Sequence, residues 1–434
     1  MKGPRRFLMP GAIVVRAATV VRRGHPLRSH GVFAWKSWRL RHFDRLVSHL
    51  VTMRVAIITE SFPPDVNGVA HCVLRVAELL SSGGHHPLVI APQPAKAKRD
   101  EGASYPFPVV RVPAVPLPGY PGFRLGLPGR RVRAALVGHR AELVHLASPV
   151  VLGAHGAAVA RRLGLPIVAV YQTDLPSYAR AYQFGRAGQA LAWRWLRGIH
   201  NGAARTLAPS TVTATGLLGH QIENVWLWGR GVDTRRFEPA KRSHEIRARL
   251  APGGELIAGY VGRLAAEKRV DLLSGITALE GVRLVIVGAG PTEAALRRQM
   301  PGAVFLGERR GEELAAIYAS LDVFVHSGPY ETFGQTLQEA AASGLPVVAP
   351  AAGGPLDLVR DGVTGFLVRP DDAAALTCAV GTLAADPALR VAQGQAGRQM
   401  VLGRTWPALC DELIGHYADI LSATGSVERT AVAA

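Results

Sequence analysis

Two doubly wound α/β domains are what the sequence predicts, on three observations. At 434 residues the chain exceeds what one ordinary hydrophobic core covers. From Met53 onward short apolar runs alternate with helical patterns, the sequence form of parallel strands joined by crossover helices. That alternation comes in two sets with an irregular stretch between them. The first set of expected strands is Arg54 to Thr59, Pro87 to Ala91, Leu143 to Ala147, Ile167 to Tyr171 and Thr206 to Ala208. The second is Leu256 to Val261, Arg283 to Val287, Val304 to Leu306, Val323 to His326 and Val347 to Ala349. A helix from Thr211 to Gly219 precedes the irregular stretch, Trp226 to Pro239, which marks the domain boundary. The helix after the first strand shows the period clearly: Val69, Val73, Val76 and Leu80 share a face, with Gly83 and Gly84 as the stop. Two such domains facing each other leave a cleft at the C-terminal ends of their strands, where ligands of open α/β sheets bind.

The resulting division is a basic extension over 1–52, a first domain over 53–225, a second over 226–404, a helix over 405–421 crossing back to the first domain, and a flexible tail over 422–434. Residues 1–52 show no sustained period, and Met53 opens a buried strand at once, so the extension reads as disordered or as a mis-assigned start. It carries +10 of the formal net charge of +18, so the body is only mildly basic and basicity alone decides little. Hydrophobic residues are 48% of the chain and charged ones 19%, which excludes disorder as the dominant state. Cys72, Cys378 and Cys410 offer neither a disulfide framework nor a zinc spacing, which points to a reducing compartment. No apolar run approaches the ~20 residues of a spanning helix.

Candidate chemistry sits in the loops after expected strands. Asn67-Gly68 enters a helix, where Gly68 serves either a tight turn or a phosphate held by backbone N–H groups. After the second domain's first strand come Arg263 and Lys268, which are either solvated or paired with a diphosphate at the cleft edge. The richest segment is Glu331-Thr-Phe-Gly-Gln-Thr-Leu-Gln-Glu339. A helix beginning near Phe333 turns the N–H groups of Phe333, Gly334 and Gln335 toward a phosphate. Gly334 to Glu339 then rises about 7 to 8 Å, the span from a diphosphate to a ribose. Glu339 would accept from ribose hydroxyls, and Glu331 would stand near a sugar. Glu339 lies among Leu337, Ala340 and Ala341, where a carboxylate needs a partner.

With these motifs in order, Met53 to about Leu421 resembles a retaining glycosyltransferase of family 4, with the GT-B fold. The resemblance rests on Glu331-x-Phe-Gly through Glu339, Gly262-Arg263 through Lys268, Gly288-Ala-Gly-Pro291 and Ala351-Ala-Gly-Gly354. Glu60-Ser-Phe-Pro-Pro-Asp-Val-Asn-Gly-Val69, His145-Leu-Ala-Ser-Pro149, Tyr171-Gln-Thr-Asp174 and Gly229-Arg-Gly-Val-Asp233 are further similar to actinobacterial GDP-mannose-dependent α-mannosyltransferases that act on glycolipids. The resemblance implies transfer of α-mannose from GDP-mannose, without cofactor or metal, to a glycolipid or phosphatidylinositol-type acceptor. It places Arg263 and Lys268 on the pyrophosphate, Glu331 on the sugar, Glu339 on the ribose and Gly68 against the phosphate. Many relatives carry a His where this chain has Gln172-Thr-Asp174, so Asp174 either contacts sugar or acceptor or caps a helix.

Between Glu101 and Glu142 no acidic residue occurs, while Arg111, Arg124, Arg130, Arg131, Arg133 and Arg140 do. A short helix over Pro128 to Arg140, with Val132, Leu136 and Val137 on one side, suits either an anionic membrane surface or solvent. A cytoplasmic enzyme, peripheral on the inner face of the plasma membrane, follows from the membrane reading. The rival functions are a UDP-sugar transferase with a small soluble acceptor and a nucleic-acid-binding protein acting through the basic arm. No nucleic-acid motif supports the latter, and no nucleic-acid partner is expected.

Overall fold

The computed structural model describes residues 52–65, 67–95, 104–116, 124–172 and 185–432. The first domain holds β1 Arg54–Ile58, β2 His86–Pro92, β3 Val109–Val112, β4 Ala114–Pro116, β5 Arg124–Gly126, β6 Leu143–Leu146, β7 Ile167–Val170, β8 Arg205–Ala208 and β9 Val225–Leu227. Its main sheet runs β3-β2-β1-β6-β7-β8-β9, and every neighbouring pair in it is parallel. β4 and β5 form a separate antiparallel pair. The second domain holds β10 Leu256–Val261, β11 Val282–Val287, β12 Val304–Gly307, β13 Val323–Val325, β14 Val347–Pro350 and β15 Gly365–Val368. They pair in parallel in the order β12-β11-β10-β13-β14-β15. In both sheets the order reverses beside the domain's first strand, which puts the switch points at β1/β6 and at β10/β13.

Alternation along the strands explains the layers. Val55 and Ile57 of β1 enter one core with the Gly68–Ser82 helix, while Ala56 and Ile58 enter another on the opposite face. In β10, Ile257 and Val261 face one core, Ala258 and Tyr260 the other. Both faces are thus covered by helices, as an all-parallel sheet requires.

The expected strands all form, and the structure adds β3, β4, β5, β9 and β15. β9 moves the boundary: Trp226 and Leu227 belong to the first sheet through pairing with β8, so the linker starts at Trp228 rather than Trp226. A strand of three residues with two exposed side chains carries too little apolar pattern to be read. The final helix spans Trp406–Val432. Trp406, Leu409, Cys410, Leu413, Ile414, Tyr417 and Ile420 complete a first-domain core, and Tyr417 Oη lies 2.5 Å from Nδ1 of buried His145. Residues from Ser422, expected to fray, continue this helix to Val432, through a stretch free of proline. Among the described residues no single helix is long and apolar enough to cross a membrane.

Candidate active site

The second sheet's switch point builds the site from two strand-end loops that clasp each other. Lys268 follows β10 in a short turn, Glu331 follows β13, and Lys268 Nζ donates to Glu331 Oε2 at 2.8 Å. Ser327 Oγ donates to the Lys268 carbonyl at 2.8 Å, fixing one loop on the other. A third loop locks the back of the carboxylate segment, with Gly354 N–H donating to the Glu331 carbonyl at 2.7 Å. A Cβ on Gly354 would lie 2.0 Å from the Phe333 carbonyl, so this approach is open only to glycine. Burial alone would raise the Glu331 carboxyl, but the Lys268 charge, then His326 and Arg230, outweigh it and hold the group at about 2. Glu331 is therefore a carboxylate at any working pH. Beneath it His326 is buried with Nε2 4.0 Å from Glu331 Oε2, and burial holds its ring neutral, down at about 4. Glu267, one residue before Lys268, is also buried, and its charge offsets the desolvation of Arg263 and Lys268. Neither His326 nor Glu267 was legible as a site residue, because each reads as part of a strand end or an exposed turn.

The helix after Glu331 starts two residues later than expected, at Gln335. Gly334 caps it at φ 102°, a left-handed conformation suited to glycine, and gives its N–H to Glu331 Oε1 at 3.2 Å. Phe333 is a core residue. Its ring is 1% exposed and seated in the second domain, which anchors the backbone whose N–H was expected to face a phosphate. Gln335 carries its side chain inward, Nε2 donating to the Gly231 carbonyl at 3.1 Å. What remains at the open end of the helix are the N–H groups of Gln335 and Thr336. Further along, Tyr318 Oη donates to Glu339 Oε2 at 3.1 Å, and burial lifts the Glu339 carboxyl to about 7. That tyrosine is the partner a carboxylate among Leu337, Ala340 and Ala341 required.

From the first domain the Gly68–Ser82 helix points its start at the linker. Asn67 Oδ1 accepts from Val69 and Ala70 N–H at 3.0 and 2.9 Å, so two of the N–H groups expected to face a phosphate are already capped. Gly68 is the point of closest approach, though to a side chain: a Cβ there would lie 2.8 Å from Arg230 Nη1. Arg230 Nη2 donates to Gln172 Oε1 at 2.8 Å, joining linker to first domain. Arg263 is half-buried at the end of β10, its guanidinium lowered by desolvation. Asp174 lies outside the described residues.

The basic segment is divided by the fold. Val132 and Leu136 are buried against the sheet, so the apolar side expected to meet a membrane is spent on the core and only Val137 of the three is exposed. Arg111 and Arg124 tether loops through the Pro92 and Gln93 carbonyls at 3.1 and 2.9 Å. Arg130, Arg131 and Arg133 are exposed.

Two sheets of this strand order, with a paired lysine and glutamate and an open helix end at the second switch point, define the class: a GT-B glycosyltransferase. Comparison with known proteins agrees along the chain. Residues 66–236 match the family model "Glycosyltransferase Family 4" and residues 241–400 match "Glycosyl transferases group 1". A GDP-mannose-dependent alpha-mannosyltransferase of Mycobacterium tuberculosis is 50% identical over 84% of this chain and 96% of its own. One of the same name from Corynebacterium glutamicum is 43% identical over 87% of this chain and 92% of its own. Among solved structures, Anabaena HepE in complex with UDP-glucose superposes with a TM-score of 0.69 at 20% identity, over 84% of this chain and 99% of its own. The chain belongs to glycosyltransferase family 4.

Proposed function

We propose that the enzyme transfers α-mannose from GDP-mannose to a glycolipid or phosphatidylinositol-type acceptor with retention at the anomeric carbon. The donor reading is carried by the identity to GDP-mannose-dependent relatives along nearly their whole length. Lys268 and Arg263 neutralise the charge that develops on the leaving diphosphate, together with the N–H groups at the start of the Gln335–Ala342 helix. Glu331, fixed as a carboxylate by Lys268 and Gly334, accepts from sugar hydroxyls and orients the ring. Glu339 accepts from the ribose diol beside Tyr318. With no carboxylate assigned as nucleophile, the departing phosphate itself takes the acceptor proton on the face it leaves. Protein cations serve the leaving group, so no divalent ion is required.

A lipid acceptor is supported by the first domain's surface. Ala187, Ala190, Leu191, Arg194, Trp195 and Gly198 form one exposed stripe at helical spacing, with Leu191 62% and Trp195 50% exposed. A tryptophan and an arginine at such a stripe suit the headgroup region of an anionic leaflet, and Arg130, Arg131 and Arg133 add charge. The test is transfer of radiolabelled mannose from GDP-mannose to an actinobacterial lipid extract in chelator. A labelled, α-linked lipid product is expected; a product formed only from UDP-sugars, or only with a divalent ion, or of inverted configuration, contradicts the corresponding part.

A further inference from the structure

The linker between the domains places a buried cation at the donor cleft that none of the roles above uses. Arg230 is 8% exposed, yet no carboxylate among the described residues forms an ion pair with it. Among the described residues its guanidinium donates to the neutral amide of Gln172, and it lies 6.0 Å from the centre of the Phe333 ring. Its backbone is pinned. A Cβ on Gly229 would lie 3.4 Å from the Phe333 ring, one on Gly231 would lie 2.4 Å from the Trp406 backbone, and Val232 N–H donates to the Arg404 carbonyl at 2.9 Å.

Its surroundings are electropositive. Nη1 sits against Gly68, at the positive end of the Gly68–Ser82 helix. One turn into that helix, His71 is held neutral, down at about 4, by burial first and then by the charges of Arg75, Arg230 and Arg236, which outweigh the opposing Asp233. Glu331 feels the Arg230 charge but is already bonded to Lys268 and Gly334. A desolvated guanidinium facing a helix N-terminus without a counter-ion is costly until an anion joins it. We propose that Arg230 is a donor-binding residue: its guanidinium forks onto the distal phosphate of the nucleotide diphosphate, and Gly68 is glycine so that this side chain can lie across the helix start. This rests on the nucleotide-sugar reading above.

The test is calorimetric titration of the full-length chain and of Arg230→Gln with GDP and GMP, and with UDP and UMP. In the wild type, GDP is expected to bind more tightly than GMP. Arg230→Gln should weaken GDP by about 10- to 100-fold while leaving GMP within about twofold, because only the distal phosphate loses a charged fork. Arg230→Lys, which keeps charge without the fork, should fall between. The apo melting temperature of Arg230→Gln should be unchanged or raised, since a buried cation with no carboxylate partner among the described residues is removed. Equal weakening of GDP and GMP, or an unchanged ratio, overturns the proposal. Should the wild type bind only uridine nucleotides, the guanine reading fails and the same ratio is read from UDP and UMP; failure to bind any of the four overturns both.

Discussion

Lys268 and Glu331 form an ion pair that joins the two loops at the second switch point, and their roles separate by substitution. Glu331→Gln keeps the shape but gives up the carboxylate proposed to orient the sugar, and Lys268→Met leaves that carboxylate without its counter-charge. Each should lower kcat/KM by about 100-fold or more, the scale of one preorganised charge contact, with kcat falling more than KM rises. Steady-state kinetics with saturating acceptor reads the split. Glu339 gives a pH signature instead. Its carboxyl is raised to about 7 from 4.5, so the empty fold loses stability as pH climbs between those values, where the unfolded chain ionises first. The proposed contact with ribose hydroxyls needs the ionised form, so affinity for a sugar nucleotide should rise up to about pH 7 and then level off. The diphosphate diester holds its charge throughout that range. Glu339→Gln should flatten both profiles; a slope that survives it assigns the titration elsewhere.

At the scale of elements, the loops after β10, β13 and β14 act as one body because their backbones touch. Gly354→Ala places a methyl carbon on the Phe333 carbonyl and must push the Glu331 segment away from Lys268. A loss of about 1 to 3 kcal/mol in denaturant unfolding is expected, of the order seen for backbone strain at special positions, together with weakened nucleotide binding. Destabilisation without weaker binding would show that the clasp is structural only. These contacts are also where the sequence was least informative. Gly288-Ala-Gly-Pro291 and Ala351-Ala-Gly-Gly354 were legible as motifs, but not that their glycines serve backbone approach, because such contacts join segments far apart in the chain. Phe333 was legible as a residue at a helix start, but not that its ring is core, because one aromatic beside a glycine carries no periodicity. The Lys268–Glu331 and Tyr318–Glu339 partnerships were half visible, as carboxylates and cations that needed something.

For the whole molecule, the two sets of apolar runs were enough to read two doubly wound sheets. Alternation of strand and helix leaves few other solutions, whereas β3, β9 and β15 were too short or too flanked by proline and glycine to stand out. The last helix ties the chain's end to the first domain, with Tyr417 Oη against His145 and Trp228 Nε1 donating to the Leu409 carbonyl at 2.8 Å. Tyr417→Phe should cost about 1 to 3 kcal/mol, since His145 is left buried without that partner, and thermal unfolding measures it. The activity of the whole molecule depends on what this two-domain cleft binds. Titrating the full-length chain with GDP-mannose and UDP-glucose in chelator tests that most directly. The account predicts that GDP-mannose binds at least about tenfold more tightly, a difference of about 1.4 kcal/mol, and that Glu331→Gln weakens it. Preference for UDP-glucose, or binding that appears only with a divalent ion, would contradict it.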